Sequence, residues 1–136
     1  MKTYVLDANV LVRFFTQDSP TLGSAAKKLF EAADRGEVEL RLHPAIAAEV
    51  LFVLIKVYQQ DRSAVADALL DLIENPGIAV ENASILRDAL KRFKSVSVDF
   101  PDALIAALAA DSKVPVASFD RDLDKFKDIT RFEPLE

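Results

Sequence analysis

Four acidic residues lie beside or inside apolar segments of the sequence: Asp7, Glu49, Asp102 and Asp120. Asp7 and Asp120 each follow a short apolar run, whereas Glu49 and Asp102 lie within apolar segments of helical length. An isolated carboxylate is costly to bury unless a cation or hydrogen-bond donors compensate for its charge. The four positions therefore indicate acids that share a compensating positive charge.

A divalent cation is a natural partner for such a set of carboxylates. Like charges that are brought together repel and raise one another's pKa unless positive charge lies between them. Mg²⁺ and Mn²⁺ prefer oxygen ligands, retain several waters and pair with phosphate. A cluster of Asp and Glu without His therefore points to phosphate-ester chemistry.

The composition excludes most other catalytic chemistry. The chain of 136 residues contains no Cys, which rules out disulfides, thiolate nucleophiles, zinc fingers and iron–sulfur clusters. His43 is the single His, whereas a catalytic zinc site normally needs about two or three. The 22 acidic and 17 basic residues give a net charge of −5, which argues against non-specific coating of nucleic acid but not against contact with phosphate through a bound metal.

No targeting or membrane segment is expected. The N-terminus carries one Lys and a short apolar run before it reaches Asp7, which is unlike a signal peptide. Uninterrupted apolar stretches such as residues 50–55 are far shorter than the ~20 residues of a membrane span. We therefore expect a cytoplasmic protein with no membrane contact.

The spacing of apolar residues predicts an α/β fold. Short strand-like runs alternate with helical periodicity. We expect strands at 3–6, 38–42, 78–80, 114–119 and 128–132, and helices from residue 9 and at 20–36, 44–60, 63–74, 83–93 and 99–112. The predicted fold class is a three-layer sandwich in which helices flank a mainly parallel sheet of about four to five strands. Residues 1–136 are expected to form a single domain.

Such a fold would position the acids. Because the carboxyl ends of parallel strands meet at one edge of a sheet, Asp7 and Asp120 are expected to lie close together if both strands are central. The helix that carries Glu49 is otherwise apolar on every face and is expected to be buried all round. Asp102 is expected in the first turn of another buried helix.

Each acid also has a structural alternative. Asp7 would serve as the N-cap of the helix that follows it. Asp99 and Asp102 are spaced like a capping box, and for Asp99 the capping role is the favoured interpretation. The acids after residue 119 would equally fit a solvated surface, and an Arg partner in the core would explain Glu49.

Four segments that contain these acids form a recognisable set. They are residues 5–12 (VLDANVLV), 49–54 (EVLFVL), 100–109 (FPDALIAALA) and 116–123 (VASFDRDL). In type and order they resemble the PIN-domain family, and most closely the VapC-type ribonucleases of toxin–antitoxin pairs. The resemblance covers essentially the whole chain and implies a PIN-like fold.

The resemblance implies a Mg²⁺- or Mn²⁺-dependent endoribonuclease. Its catalytic and metal-binding acids would be Asp7, Glu49, Asp102 and Asp120, and its supporting residues would be Asn9, Ser118, Asp99 and Asp122. Asp122 competes with Asp120 for the fourth acidic position, and Ser118 keeps the hydroxyl of the Thr that the family often has. In the implied mechanism the acids hold the metal, which activates a water and neutralises the phosphate, and hydrolysis leaves a 5′-phosphate and a 3′-hydroxyl.

The resemblance also implies partners. RNA would be the substrate, and such toxins are typically homodimers that a small antitoxin inhibits by laying a helix along a hydrophobic groove and sending an Arg toward the acids. Apolar residues suited to a groove are present, although a core role is their favoured interpretation: Leu11, Phe14, Phe15, Leu51, Phe52 and Ile55.

Two other functions stay open on the sequence alone. An Asp-nucleophile phosphatase or phosphotransferase would use Asp7, but phosphatases of the haloacid dehalogenase type carry a second Asp two residues later, where this chain has Asn9. A non-catalytic PIN-like module would bind RNA or protein without cleaving it. Loss of activity usually accompanies loss of an acid, and all four acids are present here.

Overall fold

The computed structural model describes residues 1–135, which form two compact units. The first unit comprises Met1–Ala83, and the second begins at Ser84. Each unit has its own helices and its own pair or trio of parallel strands.

The first unit is built from three strands and four α-helices. In chain order these are β1 (Lys2–Val5), α1 (Ala8–Thr16), α2 (Pro20–Asp34), β2 (Val38–Leu42), α3 (Pro44–Phe52), α4 (Arg62–Leu72) and β3 (Ile78–Val80). A π-helical turn, Val53–Val57, extends α3. The strands form one parallel sheet in the order β1-β2-β3, in which Leu40 pairs with Tyr4 on one side and Ile78 on the other.

The central strand of this sheet has one buried face. Leu40 and Leu42 are buried, whereas Glu39 and Arg41 between and beside them are not, which is the two-residue alternation of a half-buried strand. Buried side chains from three helices of the unit include Leu11, Phe30 and Leu69. The buried face of β2 thus packs with these helices in the core of the unit. The carboxyl ends of the parallel strands lie at one edge of the sheet.

The second unit is smaller and begins with two helices. Its elements are α5 (Ala83–Ser95, which starts at the boundary), α6 (Phe100–Ser112), β4 (Val116–Ala117), a 3₁₀ helix (Arg121–Lys125) and β5 (Arg131–Phe132). β4 pairs in parallel with β5, Val116 with Arg131 and Ala117 with Phe132. Phe93 of α5 meets Phe100 of α6 edge to face, with ring centres 5.7 Å apart, so aromatic packing joins the two helices.

The predicted α/β class with parallel strands is confirmed, but the sheet is smaller than expected. Instead of one sheet of about four to five strands, the described residues form a three-stranded sheet and a two-stranded sheet. The strand predicted at 114–119 shrinks to Val116–Ala117. Pro115 has no N–H to donate, and the side chains of Ser118 and Asp120 bond to nearby backbone N–H groups and turn the chain.

The predicted helix at 44–60 is α3 followed by the π-helical turn. The Tyr58 N–H donates to the Val53 carbonyl at 3.2 Å, which is the five-residue spacing of a π-helix. Apolar periodicity does not distinguish one widened turn from a regular one. No helix within residues 1–135 combines the length and apolar character that a membrane crossing requires.

Candidate metal centre

Asp102 lies in the first turn of α6, where the helix dipole favours a carboxylate. Pro101 occupies a position in the same turn that needs no N–H donor. Asp99 holds the N-cap position, but its side chain makes no capping hydrogen bond, so the capping role favoured for it is not formed. The Asp102 N–H donates instead to the Asp99 carbonyl at 3.1 Å, and the Asp102 side chain is half-buried.

Asp120 lies between β4 and the 3₁₀ helix, and Asp122 lies in the first turn of that helix. The Ser118 hydroxyl oxygen accepts a hydrogen bond from the Asp120 N–H at 2.9 Å, and Asp120 Oδ1 accepts one from the Asp122 N–H at 2.9 Å. Asp120 is thereby the N-cap of the 3₁₀ helix. Local side-chain bonds thus hold two exposed carboxylates in one short segment.

The structure brings Asp102, Asp120 and Asp122 together. One carboxylate oxygen of each lies within 4.8 Å of one carboxylate oxygen of the other two, and they are the one group of three or more acids, His or Cys with this spacing among residues 1–135. Asp120 and Asp122, which the sequence analysis treated as competitors, both belong to the group. Their catalytic role stays a prediction.

The electrostatics of this group leave negative charge in need of compensation. Burial raises the pKa of Asp102 above its ordinary value, and the nearby charges of Asp120, Asp99 and Asp122 raise it further. Lys125 acts in the opposite direction and lowers that pKa. One ammonium therefore does not balance the carboxylates around Asp102.

Lys125 is a residue of the site that the sequence analysis missed. Its Nζ lies 3.3 Å from Asp122 Oδ1 and donates to the Ser97 carbonyl at 3.0 Å. The available signal was the three-residue spacing from Asp122, which places both side chains on one side of a short helix. The charged residues of 120–125 otherwise have the pattern of a solvated surface segment.

The donor set fits a hard divalent cation. Carboxylate oxygens are the ligands that Mg²⁺ and Mn²⁺ prefer, and both ions retain several waters, so three protein ligands are sufficient for a partly hydrated ion. Burial first, and then the charges of the neighbouring carboxylates, raise the pKa of Asp102, and a bound cation would offset both effects. Asp102, Asp120 and Asp122 are the residues that would hold such an ion in this unit.

Asp7 lies just after β1 in the first unit and caps α1. Its Oδ1 accepts a hydrogen bond from the Ala8 N–H at 2.7 Å, so the capping alternative for Asp7 is confirmed. The side chain is exposed, as is that of Asn9 in the first turn of α1. Capping uses only Oδ1, and the second carboxylate oxygen makes no capping bond. The role of Asp7 as a metal ligand therefore stays a prediction.

Glu49 on α3 is exposed, so the expectation of a helix buried all round is wrong. The buried side of α3 consists of Ala47, Val50 and Leu51. Its solvent side includes Phe52, which is 62% exposed. Apolar side chains around the whole helix therefore did not require that every face be buried. No charged side chain within residues 1–135 is buried, and Glu49 needs no Arg partner in a core.

The fold and the site together define an α/β protein of parallel strands with an oxygen-only candidate metal centre. The family model of the PIN domain matches residues 4–129. The chain therefore belongs to the PIN-domain family, which confirms the resemblance seen in the sequence. A search of curated proteins found no match. PIN domains are generally nucleases and typically need a divalent metal.

Proposed function

We propose that this protein is a divalent-metal-dependent endoribonuclease that hydrolyses RNA phosphodiester bonds. The observation that carries the proposal is the group formed by Asp102, Asp120 and Asp122 in a chain of the PIN-domain family. Clustered carboxylates are typical of sites that bind a cation and a phosphate, and the pKa of one member, Asp102, is raised by burial and by its acidic neighbours.

The three aspartates share one task in this proposal, and Asp122 has a second. Asp102, Asp120 and Asp122 would hold the cation, and Asp122 also pairs with the Lys125 ammonium. When bound, Mg²⁺ or Mn²⁺ supplies positive charge at the phosphate and lowers the pKa of an attacking water. Lys125 keeps positive charge beside the cluster, and the products are a 5′-phosphate and a 3′-hydroxyl.

The proposal retains Asp7 and Glu49 as catalytic carboxylates, with Asn9 and Ser118 in support. Asp7 has a free oxygen beyond the one that caps α1, and exposure leaves the Glu49 carboxylate accessible to a ligand. Exposure also means that neither acid needs a partner inside the protein. Substitution of Asp7 or Glu49 should therefore cost little stability, so the effect of each substitution on RNA cleavage can be measured on folded protein.

We further propose that the protein acts in the cytoplasm as a homodimeric toxin of a toxin–antitoxin pair. An apolar groove in the first unit supports a helical partner: a cavity of about 600 Å³ has a lining that includes Phe14, Phe15, Phe30 and Leu72. The core interpretation is confirmed for the buried Leu11 and Leu51, whereas Phe14, Phe15 and Ile55 are half-buried and Phe52 is exposed. A small antitoxin would lay its helix on the half-buried phenylalanines.

The test is a map of new RNA 5′ ends in a bacterial host after brief induction of the protein. The matched variants are Asp102→Asn, in the cluster, and Asp111→Asn, near the other end of the same helix. We expect discrete new ends with the wild type and with Asp111→Asn and none with Asp102→Asn. Equal maps for all three folded proteins would contradict the proposal.

A further inference from the structure

Arg131 of β5 is one of the least exposed charged side chains of the second unit, at 13%. Its Nε and Nη2 donate to the two oxygens of Asp124, at 2.9 and 3.1 Å. Its Nη1 donates to the Ser118 carbonyl and to Glu133, both at 3.1 Å. The planar guanidinium is therefore engaged on all of its nitrogens, in the two-pronged geometry that Arg makes and Lys does not.

Two partners of Arg131, Ser118 and Asp124, lie at the two ends of the segment that carries Asp120 and Asp122. Ser118 precedes Asp120, and Asp124 follows Asp122. One rigid group thus holds the beginning and the end of residues 118–124, which we call the acidic segment. The hydrogen bonds of Arg131 go to Ser118, Asp124 and Glu133 rather than to Asp120 or Asp122, so its influence on these two acids passes through the ends of this segment.

Besides the bonds from Arg131, the acidic segment is anchored by the buried side chain of Leu123 and by few backbone hydrogen bonds to distant residues. The ladder between β4 and β5 is two residues long, and the Ser118 N–H adds one bond to the Phe132 carbonyl at 3.0 Å. The bonds from Ser118 Oγ and Asp120 Oδ1 are local, because each joins residues two apart. Local bonds fix the shape of a turn, whereas contacts with distant residues fix its place. Here those contacts are the burial of Leu123 and the bonds of the segment to Arg131 and Phe132.

We propose that Arg131 is a positioning residue of the metal centre. By holding Ser118 and Asp124, it keeps the Asp120 and Asp122 carboxylates at the separation from Asp102 that a divalent cation needs. It touches neither the cation nor the RNA. This inference rests on the proposed function, because it assigns Arg131 a part in forming the same metal centre.

Arg92 of α5 provides a matched control within the same unit. Its side chain is 14% exposed, it makes a two-pronged pair with Asp128, and its Nε donates to Asp88 at 3.1 Å. It therefore has nearly the same burial and the same kind of ion pairs as Arg131. Neither of its acidic partners lies in the acidic segment.

The experiment compares Arg131→Lys with Arg92→Lys in the full chain. Lys keeps the charge but loses the fork, so both variants should unfold at lower temperature without metal and by similar amounts. Calorimetric titration with Mn²⁺ should separate them. Loss of a group that orients metal ligands typically weakens metal binding about 10- to 100-fold, and we expect that loss for Arg131→Lys and an unchanged Kd for Arg92→Lys.

A second variant tests the same contact in case Arg131→Lys does not fold. Asp124→Asn removes the charge at one end of the same clamp and should weaken Mn²⁺ binding in the same direction. Adding Arg131→Lys to Asp124→Asn should weaken binding by less than the sum of the separate effects, because the two residues act through one contact.

The possible results distinguish the inference from the function on which it rests. Wild-type protein that binds no Mn²⁺ would overturn the metal centre itself. Wild-type protein that binds Mn²⁺ with the same Kd as Arg131→Lys and Asp124→Asn would overturn the positioning role and leave the proposed function standing. Equal weakening in Arg131→Lys and Arg92→Lys would show a general stability effect and would also overturn it.

Discussion

In the first unit, Asp18 accepts hydrogen bonds from Tyr58, Thr16 and Arg13, and these donors lower its pKa to about 2. In the second unit, burial and three neighbouring acids raise the pKa of Asp102. Hydrogen-bond donors of the protein stabilise the charged form of Asp18, whereas the surroundings of Asp102 disfavour its charged form. The contrast shows why the acids around Asp102, rather than acids in general, indicate a ligand.

The same contrast exists inside the second unit. Arg131 lowers the pKa of Asp124, and Arg92 lowers the pKa of Asp128. The arginines Arg131 and Arg92 thus pair with acids outside the Asp102 cluster, whereas Lys125 pairs with Asp122 inside it. The positive charge of these two arginines therefore neutralises Asp128 and Asp124 rather than the clustered aspartates.

The largest expected effect comes from Asp102→Asn on RNA cleavage. Loss of a metal ligand should remove several kcal/mol of transition-state stabilisation, so kcat/KM should fall on the order of 1000-fold, or about 4 kcal/mol. The measurement is cleavage of a short RNA with saturating Mn²⁺. Asp111→Asn on the same helix should keep wild-type activity, and an equal fall in both variants would contradict a specific role of Asp102.

The next effect tests whether the first unit also contributes catalytic acids. Asp7→Asn keeps an N-capping side chain, so the protein should stay folded while kcat/KM falls on the order of 100-fold, or about 2.7 kcal/mol. Asp61→Asn is the matched control, because Asp61 caps α4 by accepting from the Ala64 N–H at 2.9 Å. If cleavage is unchanged in both variants, Asp7 is a cap and nothing more.

A smaller effect should appear in the stability of the metal-free protein. A raised pKa means that the folded state holds the Asp102 proton more tightly than the unfolded state, so stability falls as pH rises through the window above the ordinary value of 3.8. Asp102→Asn should therefore have a higher Tm than wild type at neutral pH, measured with a chelator present. The difference should vanish in acid below that window, and a lower Tm for the variant at neutral pH would contradict the account.

The smallest effect should come from Tyr58→Phe in the first unit. The lowered pKa of Asp18 means that its stabilising contribution is present above its ordinary value of 3.8 and is lost as pH falls toward about 2. Without the Tyr58 hydroxyl, the variant should have a lower Tm than wild type at about pH 5 and a nearly equal Tm at about pH 2. Tyr4→Phe on β1 is the control, and a Tyr58→Phe difference that does not change with pH would contradict the assigned cause.

The sequence predicted the elements well where local patterns decide them. The strand at Val38–Leu42 and the start of α6 after Asp99 follow from alternation and from a Pro in the first turn. The family resemblance identified Asp102 and Asp120, and both lie in the cluster. The strand and the helix start depend on residues close together in the chain, whereas the two acids were identified through the four family-like segments.

Features that depend on distant packing were not predictable in the same way. The exposure of Glu49 depends on which side of α3 meets the core, and an all-apolar helix does not specify that side. Arg131 acts through Ser118, 13 residues away, so no local spacing indicated it. The short β4 resulted from side-chain bonds at Ser118 and Asp120 that compete with strand pairing.

Mn²⁺ binding to the wild type and to the double variant Asp120→Asn/Asp122→Asn tests the central claim most directly. Asn keeps an acceptor oxygen for the turn at Asp120, so the fold is retained while two negative charges leave the cluster. Calorimetric titration should show saturable Mn²⁺ binding to the wild type and at least a roughly 100-fold weaker Kd for the variant. Equal titration curves for the two folded proteins would contradict the assignment of the metal centre to these aspartates.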